Sequence, residues 1–490
     1  MKFPITKKWE LHNLVPDGKG WRTRPSFTRA TVTLEFPVAA FSVESPSTSE
    51  VWHYIFTQDA TSQIVTLNVY NEQLISMYAL PLGPMQPGPI VTYGVVNNQL
   101  MVSSPSFSST LYGQLGGGMV TAVATPSEDP TIVTLDVPTG HIFAFADRIG
   151  VASGSTLSVN DARRDVDPRT FTSLGLLSVP GTIFDAFQGV DGQAYLFTSD
   201  GVFTIPPDAL SVGQGIAGTL FKVPGIFTKR PRNACPTPFG VVVVQQSSLL
   251  VLDGGSQREI PIGTYQGRRK VARVTDADDL RVLSTIYPTA KGVVLGFSGD
   301  RPYAVDVDLS SDTVSYITFS ATSPTVLMNV VGVLRSRDGD TILVTPSASG
   351  FTTALYDGVE GGPGDVSGNA GQVKAFALSS LDLETEDEPR VRRLTVAADN
   401  IAGLVGVTVN GVTDTDTTPT LTGDAIVGTS LWDAASTFVG RSTRTTRMTV
   451  NVRTTAPDVE VEVDGSGVAV GAVVDVELGG LNRQKRDRQR

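Results

Sequence analysis

Hydrophobic and polar residues alternate along most of this chain in short runs, with Gly, Asn, Asp and Pro between the runs. "VWHYIFT" (51–57), "QIVTLNVY" (63–70) and "QLISMYAL" (73–80) follow one another closely, with Tyr70, Asn71 and Glu72 marking the junction of the last two. Period-two alternation interrupted by turn formers reads as antiparallel strands joined by hairpins. The same grammar continues to about residue 358. "VTYGVVNNQLMVSS" (91–104), "IFAFADRIGVASGSTLSVND" (142–161), "AYLFTSDGVFTI" (194–205), "FGVVVVQQSSLLVLDGG" (239–255), "KGVVLGFSGDRPYAVDVD" (291–308) and "DTILVTPSASGFTTALYDG" (340–358) are each strand, polar turn, strand. Their starts lie roughly 40–55 residues apart, the length of a blade of about four short strands. The chain is therefore expected to be all-β, with a degenerate β-propeller over residues 31–358, and six or seven blades fill that length. No Trp-Asp dipeptide occurs within it, so it does not read as a WD40 repeat.

Other segments carry different patterns. Residues 1–30 are polar and basic and are interrupted by Pro4, Pro16 and Pro25, which predicts an extended basic arm that a neighbour must order. Residues 359–371, "VEGGPGDVSGNAG", hold five Gly and one Pro and read as a linker. Beyond it "VRRLTVAA", "GLVGVTVNG", "TRMTVNVRTT" and "DVEVEVDGSGVAVGAVVDVEL" alternate again, so residues 372–480 are expected to form a β-sandwich-like domain. The end, "LNRQKRDRQR" (481–490), has one apolar residue and reads as a basic tail that only solvent or a partner would order.

Composition narrows the classes of function. The 490 residues include 49 Gly and 30 Pro, which suits many turns and few helices. The net charge is −11, yet both ends are basic. Residues 1–30 carry seven cations against Glu10 and Asp17, and residues 481–490 carry five against Asp487, so the body is more acidic than the whole. Such a body repels phosphate, which argues against a DNA-binding domain but suits a passage that DNA crosses without adhering. The N-terminal segment lacks an apolar run, and no stretch of 18 apolar residues occurs, so neither a secretion signal nor stable membrane insertion is expected. Cys235 is alone, which leaves no intramolecular disulfide and predicts a buried, inert thiol in an intracellular assembly compartment.

Candidate chemistry is sparse. His12, His53 and His141 have no His or Cys partner at metal-ligand spacing, and each reads as a structural histidine. The acidic clusters "DARRDVD" (161–167), "TDADD" (275–279) and "LETEDE" (383–388) lie in turn-like stretches and read as solvated loops. A glycoside hydrolase would need a convergent carboxylate pair, for which Asp161, Asp165 and Asp167 are the candidates. "SRDGDTI" (336–342) only approaches a sialidase turn, and "DGKG" (17–20) and "GQLGGG" (113–118) lack the rest of a phosphate loop. No catalytic residue, cofactor or metal is expected.

"ADRIGVASGSTLSVNDARRDVDPRTF" (146–171) resembles a phrase of the tail nozzle, or tail hub, proteins that serve as head-to-tail connectors in short-tailed bacteriophages. The matching positions are Asp147, Arg148, Ser158, Asp161, Asp167, Pro168 and Phe171. "LHNLVPDGKGWRTRPSF" (11–27), "GIFTKRPRNACPTPFGVVVVQQSSLLVLDGG" (225–255) and "GRSTRTTRMTV" (440–450) are similar to further pieces of that family in the same order, although "RTRPSF" lacks the family's Gly-Leu ending. The resemblance implies a structural virion protein of the tail, assembled in the host cytoplasm. It implies a six-fold homo-oligomeric ring below portal and adaptor proteins that extends the DNA ejection channel and anchors spikes or fibres. The genome would pass without sequence-specific binding. Lys7, Lys8, Arg22, Arg24 and Arg29 in the arm and Arg483, Lys485, Arg486, Arg488 and Arg490 in the tail are the expected assembly contacts with acidic neighbours. Two other classes compete with this expectation: a carbohydrate- or receptor-binding fibre or spike component, and a propeller glycoside hydrolase.

Overall fold

The computed structural model describes residues 2–4, 10–17, 20–23, 28–29, 36–44, 49–86, 91–96, 99–107, 110–114, 139–145, 148–160, 171–207, 220–226, 233–245, 248–254, 256–262, 283–297, 303–318, 330–335, 341–347, 350–355, 375–380, 390–399, 405–409, 412–414, 420–421, 443–453, 458–463 and 469–479. These residues are nearly all β, and the strands from Pro37 to Leu355 fall into six sheets arranged as a β-propeller.

Local sequence sets each meander. Pro37–Glu44, Val51–Gln58, Ile64–Asn71 and Ser76–Pro84 pair antiparallel in turn. The Asp59 carboxylate accepts the Thr61 and Ser62 amides at 3.0 and 2.6 Å, which closes one turn, and Asn71 accepts Gln73 and Ile75 at 3.1 and 2.8 Å to close the next. Within the stretch 142–161 the strands are His141–Phe145, Arg148–Ser153 and Thr156–Asn160, and Gly154 takes the left-handed turn at φ 59°. Similar meanders cover Thr92–Gln114, His141–Ser178, Ile183–Val223, Ala234–Pro261, Leu283–Thr318 and Gly332–Leu355.

The meanders close a ring through their first strands. Each of Thr92–Val96, His141–Phe145, Ile183–Gln188, Ala234–Thr237, Leu283–Pro288 and Gly332–Arg335 touches the next in that order. The first meander meets the second where Phe41 stacks on Tyr93 at 3.9 Å. It meets the last in a parallel pairing of Ala40 with Gly332, which merges the two into one eight-stranded sheet. The backbones approach so closely there that a Cβ on Gly332 would collide with the Ala40 main chain. The core lies between neighbouring sheets rather than in one central mass. Phe41, Tyr54, Phe56, Val65 and Leu67 pack on Leu100, Val102, Phe107 and Leu111, and Val242, Leu249 and Val251 pack on Val293, Leu295 and Val305.

The sequence pattern predicts an arm ordered by another molecule, whereas its described strands pair within this chain. Thr28–Arg29 extends the last meander beside Ala354 and Leu355. Glu10–His12 lies between Thr313–Thr318 and Ala375–Ser380, parallel to the first and antiparallel to the second. Lys2–Pro4 and the hairpin Leu14–Asp17/Gly20–Thr23 border Ala469–Gly479. The physical reason is two leucines in a mostly polar segment: Leu11 and Leu14 are fully buried, which anchors the strands around them.

Two antiparallel sheets form from the strands beyond residue 371, as a sandwich-like domain requires. In one, Arg390–Asp399 lies between Thr443–Arg453 and Ala469–Gly479. In the other, Asp458–Val463 lies between Ala375–Ser380 and Val405–Val409, and this sheet continues through Glu10–His12 into the propeller. The expected linker 359–371 and tail 481–490 lie outside the described residues. Among those residues no helix is long and apolar enough to cross a membrane.

Candidate functional site

Of the cations expected to make assembly contacts, the structure places two. Arg22 sits in Gly20–Thr23 opposite Val15 and Ala469, and Arg29 sits opposite Ala354. Lys7, Lys8, Arg24, Arg483, Lys485, Arg486, Arg488 and Arg490 lie outside the described residues, as do Asp161, Asp165 and Asp167. The phrase at 146–171 is in large part a folding unit. Arg148 and Ser158 are buried, and the Asn160 side chain accepts the Ile149 amide at 2.8 Å, tying the two strands of the hairpin together.

All three histidines are buried. His12 stacks on Tyr316 with centroids 5.1 Å apart. His53 is fully enclosed, and its Nδ1 lies 2.8 Å from the Ser42 hydroxyl on the paired strand. Ser42 Oγ also accepts the Arg335 amide at 2.9 Å, so its own proton is directed to His53. Burial lowers the His53 pKa from 6.5 to about 4, against a smaller raising effect of Glu72, so the ring is neutral near pH 7. A neutral ring with its proton on Nε2 lets Nδ1 accept from Ser42, and the Glu72 backbone lies near enough to raise the ring's pKa. The Cys235 thiol is buried, and burial pushes its pKa up. Among the described residues no group of three or more His, Cys, Asp or Glu is placed to hold a metal ion.

Several loop carboxylates serve as ties between meanders. Asp191 Oδ2 accepts the Tyr195 hydroxyl at 2.9 Å and the Gly254 amide at 3.0 Å, joining the sheet of Ile183–Val223 to that of Ala234–Pro261. Burial, with Asp191 beside it, raises the Tyr195 pKa. Arg258 forms an ion pair with Asp312 at 2.9 Å and donates to the Leu309 carbonyl at 3.2 Å, which joins the next two sheets.

The first strands of the meanders carry polar groups as well. These strands carry Tyr93, Asp185, Cys235 and Arg335, which are far apart in sequence. Tyr93 keeps 39% of its surface exposed and stacks on Phe41, and desolvation raises the pKa of its hydroxyl. The positive charge of Arg335 acts on both Tyr93 and Cys235, and Asp185 acts on Cys235 in the opposite sense. Sequence reasoning did not single out Arg335 or Tyr93, because each is a lone polar residue in a short strand. The only sequence signal is that each lies on the opening strand of its meander.

No family model matches this chain, and no curated protein matches it. Among solved structures it is similar to the AfRom2 CNH domain, with 7% identity and a TM-score of 0.39, covering 68% of this chain and 100% of that domain.

Proposed function

We propose that this chain is a structural protein of a short-tailed phage virion, a subunit of the six-fold nozzle ring that continues the DNA ejection channel below portal and adaptor and anchors spikes or fibres. The observation that carries the reading is the ordered resemblance centred on residues 146–171 and continued at 11–27, 225–255 and 440–450. Three physical features support it. A propeller whose meanders are packed core to core supplies a stiff wall. An acidic body keeps a polyanion from adhering to that wall. Basic ends give neighbouring acidic subunits something to hold, through salt-sensitive contacts. The reading assigns the chain no catalysis.

The test is the copy number of this protein relative to the portal in purified particles, by quantitative mass spectrometry. Half the portal number is the expected result. Absence from particles, or a number equal to that of trimeric spikes, overturns the reading, and the spike number makes glycan binding the next assay.

A further inference from the structure

We infer that the outer edge of the first meander, the strand Ser76–Pro84, docks an extended segment of a partner polypeptide, one that alternates apolar and polar residues and carries Lys or Arg at its flanks. The inference rests on the fold and does not depend on the ring reading. Ser76–Pro84 pairs with Ile64–Asn71 on one side and ends an eight-stranded sheet, so among the described residues its other side meets no strand. Pro81 and Pro84 have no amide to offer, which confines added pairing to residues 75–80. Along that stretch Tyr78 and Leu80 pack against the core of the meander. Ile75 and Met77 keep 59% and 48% of their surface exposed, and Ala79 is exposed as well. An added strand would gain backbone hydrogen bonds and an apolar surface together.

The molecule already uses this kind of pairing twice. Glu10–His12 lies along Thr313–Thr318, the outer strand of the sixth meander, and Thr28–Arg29 lies along Gly350–Leu355, the outer strand of the last. Thr28–Arg29 and Ser76–Pro84 are the two ends of one sheet, the first an added strand and the second an open edge. The remaining outer edges are poorer templates. Leu111–Gln114 and Phe221–Val223 are short, and Phe171–Ser178 pairs through a bulge. Ser256–Pro261 carries Arg258 and Glu259, the kind of charge that discourages edge pairing. Ser76–Pro84 has no charged residue.

Charge defines the partner. Residues 30–147 hold no Lys or Arg, and the described part of the first two meanders carries Glu44, Glu50, Asp59 and Glu72 as its only acidic or basic residues besides His53. Glu72 lies just before the docking stretch. A strand flanked by Lys or Arg meets complementary charge there. A second copy meeting the same edge symmetrically would bring an equally acidic meander against this one, and its arm strands are already paired within their own chain.

Fluorescence anisotropy on the full chain at low ionic strength would use a capped, dye-labelled peptide, Lys-Thr-Val-Thr-Val-Thr-Val-Thr-Lys. Its companions are the same peptide with Glu for both Lys and one with alternate backbone amides methylated. Saturable one-to-one binding of the first is expected, about tenfold weaker for each companion. It should also weaken about tenfold in Met77→Lys and about threefold in Glu72→Gln, and stay unchanged in Leu176→Lys on the third meander. Met77 is half exposed, so thermal unfolding of its variant should match the parent. Hydrogen exchange on the parent, which needs no variant, should show new protection at residues 75–80 when the first peptide binds. No saturable binding, equal binding of either companion, or protection confined to another edge overturns the proposal. Self-association of the chain that is lost in Met77→Lys assigns the edge to a second copy and overturns it too.

Discussion

Acid should weaken this fold through His53, and the size of the effect follows from its surroundings. The imidazole is fully enclosed, and its pKa falls from 6.5 in the unfolded chain to about 4 in the folded one. Between those values the unfolded state takes up a proton that the folded state refuses. Stability is therefore complete above pH 6.5 and declines as the pH falls, with the full loss reached near pH 4. At 1.36 kcal/mol per pKa unit the loss by pH 4 comes to about 3 kcal/mol. His53→Asn removes the titration but keeps an oxygen that can accept from Ser42 in place of Nδ1. Urea unfolding followed by fluorescence from pH 8 to pH 4 would be run on both proteins. The carboxylates titrate equally in the two, so subtraction isolates the histidine. The advantage of the parent over the variant should shrink by about 3 kcal/mol across that range. Parallel curves would refute the reasoning and mean that the ring is solvated or protonated within the fold.

Gly332→Ala should destabilise the propeller by about 1–3 kcal/mol, because the added methyl must displace the Ala40 backbone where the ring closes; denaturant midpoints of the variant and parent decide this. The Cys235 thiol should react with a disulfide reagent at pH 8 about a hundredfold more slowly in the native protein than in urea, since burial disfavours its thiolate. Comparable rates would show an open path to the sulfur. Deleting residues 481–490, a segment with one apolar residue, should leave the melting temperature of the monomer unchanged while abolishing ring assembly by mass photometry. Rings from the truncated chain would remove the tail from the proposed interface.

How much of this was legible in the sequence depends on the range of the interaction. The hairpins at 51–80 and 142–161 show in the period-two pattern, because strand and turn preferences act over a few residues. The inner ring does not, since the meeting of Ala40 with Gly332 or of Phe41 with Tyr93 leaves no local period. The strands at 2–29 were hidden for the same reason: their partners lie as far away as residues 469–479. His53 could be read as a strand histidine, but the Ser42 hydroxyl beside it depends on cross-strand register, which sequence leaves open. Arg335 illustrates the limit most plainly. Its neighbours in sequence give it no role, and the tie of its backbone amide to Ser42 appears only once the last meander meets the first.

The stitching of residues 2–29 into strands at 313–318, 354–355 and 469–475 also sets a clock on biogenesis. A ribosome delivering roughly 5–20 residues per second needs about 25–95 s to pass from Lys2 to its partner Asp475. During that interval Lys2–Pro4 has no mate, so it is open to chaperones or to the strands of a neighbouring nascent chain. Domain-swapped dimers are the expected by-product of fast overexpression. Once the late strands arrive, the same arrangement slows escape, because unravelling from one end must also pull strands from the other.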